Sequence, residues 1–182
     1  YTMQHFVKTI TEYDEGPIAF RMPRMRVNSD DRLTIDELES IPIGKGVRER
    51  EGSDVALLAI GTMVPVALKA AEKLEDEGVS TEVINARWVK PLDRELLAEA
   101  AAKTEALVTV EEGRDSGGFG SAVLELLSDE GILRPTKLLG VPQGIVKHGD
   151  RSLYLEEFGL TPGGVAEAAR SVLNQREQKT SR

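Results

Sequence analysis

The chain contains no cysteine and only two histidines, His5 and His148, among its 182 residues. Without a thiol there is no disulfide framework, no thiolate nucleophile and no cysteine-based metal centre, and two isolated histidines cannot build a zinc cluster. Basic charge is also short, with 23 Lys and Arg against 31 Asp and Glu and a formal net charge of −8. Phosphate backbones are bound by clustered cations, so this balance excludes a nucleic-acid partner. No apolar run approaches the ~20 residues of a membrane span, and the N-terminus lacks the pattern of a secretory signal. These absences predict a soluble protein of a reducing cytoplasm that contacts neither nucleic acid nor membrane. What is present, 40% hydrophobic residues, suffices for one ordinary α/β domain and part of another.

The chain is organised around Ser53 to Gly78. Val55 to Ile60 is an unbroken apolar run, the pattern of a strand covered on both faces in the middle of a parallel sheet. Gly61 and Thr62 turn the chain, with Thr62 expected to cap the following helix and Pro65 placed where a missing N–H is harmless. Val64, Ala67, Leu68, Ala71 and Leu74 recur at helical spacing, and Gly78 supplies a left-handed stop. The turn after such a strand is where α/β proteins usually place ligands.

Around this unit, Met3, Phe6, Val7 and Ile10 predict a short helix, and Ile18 to Arg21 a strand. Asn28 to Ser40 is acidic and reads as a linker. Ile43 to Arg50 is expected to be an edge strand, Thr81 to Ala86 a second strand, Ala106 to Val110 a third and Thr136 to Val141 a fourth. Asp93 is placed to cap a helix burying Leu96, Leu97, Ala100 and Ala101, and Gly117 to Ser121 opens another. Thr161 and Pro162 start a last helix, with the polar tail beyond Asn174 expected to fray. The expected fold is α/β: a mainly parallel five-stranded sheet with helices on both faces, preceded by the end of a second α/β domain.

Several residues are candidates for chemistry. Arg21 and Arg24 flank Pro23, and two guanidinium forks on a stiff segment suit a phosphate or carboxylate; the alternative is a solvated pair. Gly44-Lys45-Gly46 lacks the spacing of a phosphate loop. Glu111 and Glu112 are adjacent at a strand end and should point in opposite directions, so a joint acid–base role competes with one solvated and one hydrogen-bonded carboxylate. Gly117, Gly118 and Gly120 at a helix start could approach a phosphate, but not as a dinucleotide fingerprint. His148 sits alone in a loop and reads as structural.

The blocks Gly-Pro-Ile-Ala-Phe-Arg-Met-Pro-Arg, Ile-Pro-Ile-Gly-Lys-Gly, Leu-Ala-Ile-Gly-Thr-Met-Val-Pro-Val-Ala, Ala-Arg-Trp-Val-Lys-Pro-Leu-Asp, Val-Thr-Val-Glu-Glu-Gly and Ser-Gly-Gly-Phe-Gly-Ser-Ala-Val follow in this order. Together they resemble the C-terminal part of the 1-deoxy-D-xylulose 5-phosphate synthases of the transketolase superfamily, over nearly the whole chain. The resemblance implies residues 1–26 as the end of the pyrimidine-binding domain, 27–42 as a linker, 43–176 as the transketolase C-terminal domain and 177–182 as a tail. It implies a homodimeric enzyme that joins pyruvate to glyceraldehyde 3-phosphate with loss of carbon dioxide, using thiamine diphosphate and Mg²⁺. The catalytic, cofactor and metal groups of that family lie in preceding domains, so none is expected in this piece, which by itself should be inactive. One family site falls inside the chain: the second Arg of the family's Arg-Tyr-Pro-Arg-Gly block, which contacts the acceptor's phosphate, corresponds to Arg24, with Arg21 as its neighbour. Met22 and Met25 stand where the family has Tyr and Gly. Other readings are the C-terminal domain of a transketolase or of a 2-oxoacid dehydrogenase β subunit, or a non-catalytic oligomerisation module.

Overall fold

The computed structural model describes residues 2–23 and 33–180. In chain order the elements are α1 (Thr2–Glu12), β1 (Val47–Arg50), β2 (Val55–Ala59), α2 (Val64–Asp76), β3 (Thr81–Asn85), α3 (Arg94–Lys103), β4 (Ala106–Arg114), α4 (Phe119–Asp129), β5 (Thr136–Val141), α5 (Arg151–Glu157) and α6 (Pro162–Thr180). The strands form one sheet in the order β1-β3-β2-β4-β5. β2 pairs in parallel with both β3 and β4, β5 continues in parallel, and β1 closes one edge antiparallel to β3.

The apolar run of β2 occupies the centre because all five of its residues are buried. Val55, Leu57 and Ala59 face a core built with α2 and α6, including Leu74, Val165 and Ala169. Ala56 and Leu58 face the opposite core, with Leu97 of α3 and Phe119 and Val123 of α4. Side chains alternate along a strand, so each β2 residue stabilises one layer or the other by about 1.5–3 kcal/mol per large side chain. Three of the expected stops and caps are present: Gly78 has φ 82°, Asp93 accepts from Leu96 N at 3.3 Å, and Thr161 accepts from Gly164 N at 3.2 Å.

Several boundaries differ from expectation, each for a local reason. The edge strand begins at Val47 rather than Ile43, because residues 42–45 form a turn with Gly44 at φ 73° and the Gly46 N–H is held by Asp93 at 3.0 Å. Thr62 does not cap α2; its hydroxyl donates instead to Glu112. β4 runs on to Arg114: Val110 faces Leu139 and Arg114 faces Val141, so four steps on β4 match two on β5 and the strand bulges over Glu111–Gly113. Ile18 to Arg21 is not a strand; with no ladder partner among the described residues it lies as irregular chain. α5 was not anticipated, and α6 continues past Asn174.

The described part of the expected linker is docked on α1 rather than free. Leu33 N donates to Gln4 Oε1 at 2.9 Å, Glu39 N to His5 Nδ1 at 3.0 Å and Ile41 N to the buried Thr9 hydroxyl at 2.8 Å. Phe6 packs edge-on against Trp88 with ring centroids 5.0 Å apart, which fastens α1 to the loop after β3.

The edge strand is locked by charge. Glu82 on β3 is fully buried and accepts from Arg48 Nε on β1 at 2.6 Å, while Arg48 Nη2 ion-pairs Glu99 at 2.9 Å. The Glu82 contact, followed by that to Glu99, raises the Arg48 pKa against the opposing effect of burial. Removing one partner of such a pair leaves a desolvated charge. Glu82→Ala is therefore expected to lower unfolding free energy by about 1–3 kcal/mol in urea titration. An unchanged midpoint would mean that the pair does not hold β1.

A candidate functional site at the carboxyl edge of the sheet

β3 lies on one side of β2 and β4 on the other, so the boundary between β2 and β4 is the topological switch point. The crevice beyond the carboxyl ends there is the expected ligand location of an open α/β sheet. Gly61 and Thr62 enter it from β2, with Gly61 at φ 60° making the turn. Glu111 to Arg114 enter it from β4. Arg114 Nη1 donates to the carbonyls of Pro142 and Gly144 at 2.8 and 2.9 Å, which pins the loop after β5 beside it.

The crevice is closed by side chains of the chain itself. Glu112 accepts a fork from Arg151 of α5, Nε at 2.5 Å and Nη2 at 2.6 Å, and also accepts from the Thr62 hydroxyl. Hydrogen bonding from Arg151 holds the Glu112 carboxyl below its ordinary value of 4.5, against partial burial and with help from Thr62 and Arg21. Arg151 is raised in turn by Glu112. Planar guanidinium against carboxylate is the geometry in which two parallel bonds add specificity as well as energy.

Glu111 points the other way, into the protein. It is buried and accepts from the Gly120 N–H at 2.9 Å, so the N-terminus of α4 is satisfied by an internal carboxylate. A Cβ at Gly118 would fall 2.5 and 2.6 Å from the two Glu111 carboxylate oxygens, and one at Gly113 would overlap the same group. The glycine cluster thus accommodates Glu111, and nothing in its geometry reserves the helix end for a phosphate.

Of the residues singled out from sequence, Arg21 is brought to this edge: its Nη1 lies 3.7 Å from where a Gly113 Cβ would sit. Arg24 and Met25 lie outside the described residues. Lys45 pairs with Asp93 at 3.5 Å and Glu95 at 3.6 Å, beside the start of α3. His148 is exposed in the loop after β5. Thr62 as a partner of Glu112, and Arg151 at all, escaped the sequence reading. They contact Glu112 across 50 and 39 residues respectively, and no local pattern signals such a contact.

The sequence profile of the transketolase C-terminal domain matches residues 44–165. The chain belongs to the transketolase C-terminal domain family. It is 46% identical over 180 residues to a 1-deoxy-D-xylulose-5-phosphate synthase of Heliobacterium modesticaldum, covering 98% of this chain and 27% of that protein. With the synthase of Symbiobacterium thermophilum the identity is 45% over 94% of this chain and 26% of the relative. The chain therefore spans about a quarter of the length of these relatives. Among solved structures, a split-gene transketolase described as an inactive β4 tetramer superposes with TM-score 0.68 at 38% identity, covering 79% of this chain and 45% of that one. A transketolase variant from Pichia stipitis, at TM-score 0.54 and 18% identity over 72% of this chain and 18% of its own, shares the fold. The switch-point crevice thus lies in a transketolase C-terminal domain, with Glu112, Thr62 and Arg151 across its mouth.

Two outcomes follow from the two glutamates. Gly118→Ala must displace the Glu111 carboxylate and is expected to cost about 1–3 kcal/mol in thermal unfolding, whereas Gly163→Ala, with open space around it in α6, should be neutral or stabilising by about 0.5–1 kcal/mol. For Glu112 the folded pKa is depressed, so its contribution is present above the unfolded carboxyl value and is lost as pH falls through the folded one. The difference in Tm between the unaltered chain and Glu112→Gln should accordingly be largest near neutrality and shrink to nothing in acid; a difference that persists in acid would contradict this assignment.

Proposed function

We propose that this chain is the C-terminal part of a 1-deoxy-D-xylulose 5-phosphate synthase, acting in the full-length protein on pyruvate and glyceraldehyde 3-phosphate with release of carbon dioxide. The observation that carries the reading is the 44–46% identity to bacterial synthases across 94–98% of the chain. The chemistry of such enzymes is supplied by thiamine diphosphate with Mg²⁺, which renders the pyruvate carbonyl carbon nucleophilic after decarboxylation. The described residues do not fit that pair: no group of acidic, histidine or cysteine side chains among them could hold a metal ion, and the Glu111 and Glu112 carboxylates already accept from Gly120, Arg151 and Thr62. We place the cofactor site in the part of the protein preceding this chain.

On this reading residues 1–26 end the pyrimidine-binding domain, 27–42 link it to the C-terminal domain of 43–176, and residues 177–182 are a tail. The assembly is a cytoplasmic homodimer. Arg24, with Arg21 beside it, binds the phosphate of the acceptor. A guanidinium fork on a phosphate dianion is charge-assisted, and its loss costs about 1.5–3 kcal/mol. In the full-length enzyme Arg24→Ala should thus lower kcat/KM for glyceraldehyde 3-phosphate by roughly tenfold to a hundredfold. Pyruvate, which carries no phosphate, should be handled nearly as before, and Arg24→Lys should recover only part because an ammonium keeps the charge without the planar fork. Unchanged acceptor kinetics would remove Arg24 from the site. The 38% identity to a split-gene transketolase supports a second reading, a transketolase using a sugar-phosphate donor in place of pyruvate. Assaying the full-length protein with each donor separates the two. Calorimetric titration of the 182-residue chain with thiamine diphosphate and Mg²⁺ is expected to show no saturable binding, and micromolar affinity would move the cofactor site into this chain.

A further inference from the structure

Arg21 is exposed at the carboxyl edge of the sheet, and among the described residues no hydrogen bond or ion pair holds its guanidinium. It nevertheless lies against one defined place. Its Nη1 is 3.7 Å from the position of a Cβ on Gly113, where the absence of a side chain leaves room both for it and for the Glu111 carboxylate beneath. The next residue back along β4 is Glu112, whose own donors come from two other elements, Arg151 of α5 and Thr62 at the start of α2. Held from two sides, this carboxylate is the more tethered of the two groups, and the guanidinium is the one left to adjust. Arg21 adds the least of the effects that lower the Glu112 pKa, and the two do not form a closed pair, so the donors of Arg21 remain available to a ligand. Pro23, two residues on, limits how far the segment can turn.

We propose that Glu112 is a positioning residue for Arg21: clamped by Arg151 and Thr62, it draws the free guanidinium over Gly113 and so sets the arginine segment of residues 21–23 against the phosphate end of the acceptor substrate. This rests on the synthase reading above. It assigns to the C-terminal domain a part in acceptor recognition, carried by a residue that does not itself touch the substrate. An anion repelled by Glu112 alone would not be bound here; the fork of Arg21 turns an acidic strand end into a seat for a phosphate monoester.

The test uses the full-length protein with Glu112→Gln, Arg21→Ala and the double substitution. Glutamine keeps one acceptor oxygen, so one limb of the Arg151 fork is lost along with the charge, and the fold should survive at the modest cost of a partly exposed pair, with a retained cooperative unfolding transition as the check. Attraction between partly exposed charges is worth up to about 1 kcal/mol, so Glu112→Gln should raise KM for glyceraldehyde 3-phosphate about three- to fivefold and leave KM for pyruvate unchanged. If Glu112 works through Arg21, the double variant is no worse toward the acceptor than Arg21→Ala. An unchanged acceptor KM in Glu112→Gln, additive losses in the double variant, or a parallel loss for both substrates would overturn the proposal, the last by marking a purely structural role. Titration calorimetry with glycerol 3-phosphate gives a readout independent of turnover. Should the full-length protein lack synthase activity, the functional reading falls, while this titration still decides the positioning role: weaker binding in Glu112→Gln by the same factor upholds it, and equal binding overturns it.

Discussion

A strand with no polar alternation must be covered on both faces, and the arrangement of this domain follows from that requirement at Val55–Ala59. Two helices on each face, α2 with α6 and α3 with α4, supply the cover. Parallel pairing on both sides of β2 then needs crossovers that leave in opposite directions, with β3 to one side and β4 to the other. A switch point at the mouth of β2 is the geometric result. The location of the candidate site is thus a consequence of hydrophobic burial at the centre of the sheet, and no polar residue had to specify it.

What fills that mouth comes from the end of β4. Consecutive residues of a strand point to opposite faces, so the two glutamates that open the bulge take different tasks. Glu111 goes inward beneath Gly118 and satisfies the start of α4, and Glu112 goes to the edge, where α5 and the turn of α2 converge on it. The three glycines at 113, 118 and 120 are required by contacts with Glu111 and Thr109 rather than by positive φ. The two adjacent carboxylates thus meet different partners: one accepts from the start of α4, and the other holds Arg151 and Thr62.

The sheet, the central place of β2, the edge place of β1 and the helical faces were legible because each rests on a pattern that local sequence carries: the apolar run at Val55–Ile60, the spacing in α2, the cap at Asp93. Features that depend on contacts distant in sequence were not. Thr62 reads as a helix cap and is diverted by Glu112. Gly46 reads as part of a strand and is withdrawn from the ladder by Asp93. Leu33–Ile41 reads as a linker, since its composition is acidic, and is fastened by main-chain N–H groups to Gln4, His5 and Thr9, which composition does not register. The same reason hid Arg151. Arg21 was legible as a candidate from its place beside Pro23, whereas its relation to Gly113 required the fold.

The magnitudes separate stability from the chemistry of the edge. Truncating a core residue such as Leu57, fully buried in β2, is worth about 2–5 kcal/mol. The Glu112–Arg151 pair, with side chains 29% and 43% exposed, contributes at most about 1 kcal/mol once solvent screening is counted. The carboxyl edge can therefore lose or rearrange its ties while the two cores remain intact. The fold fixes where Glu112 stands, and its charge has an effect only on what approaches that edge. A weak interaction of this kind adds little beside the burial of the two cores, yet one of the same size changes a substrate's KM severalfold, because about 1.4 kcal/mol is a tenfold change in a binding equilibrium.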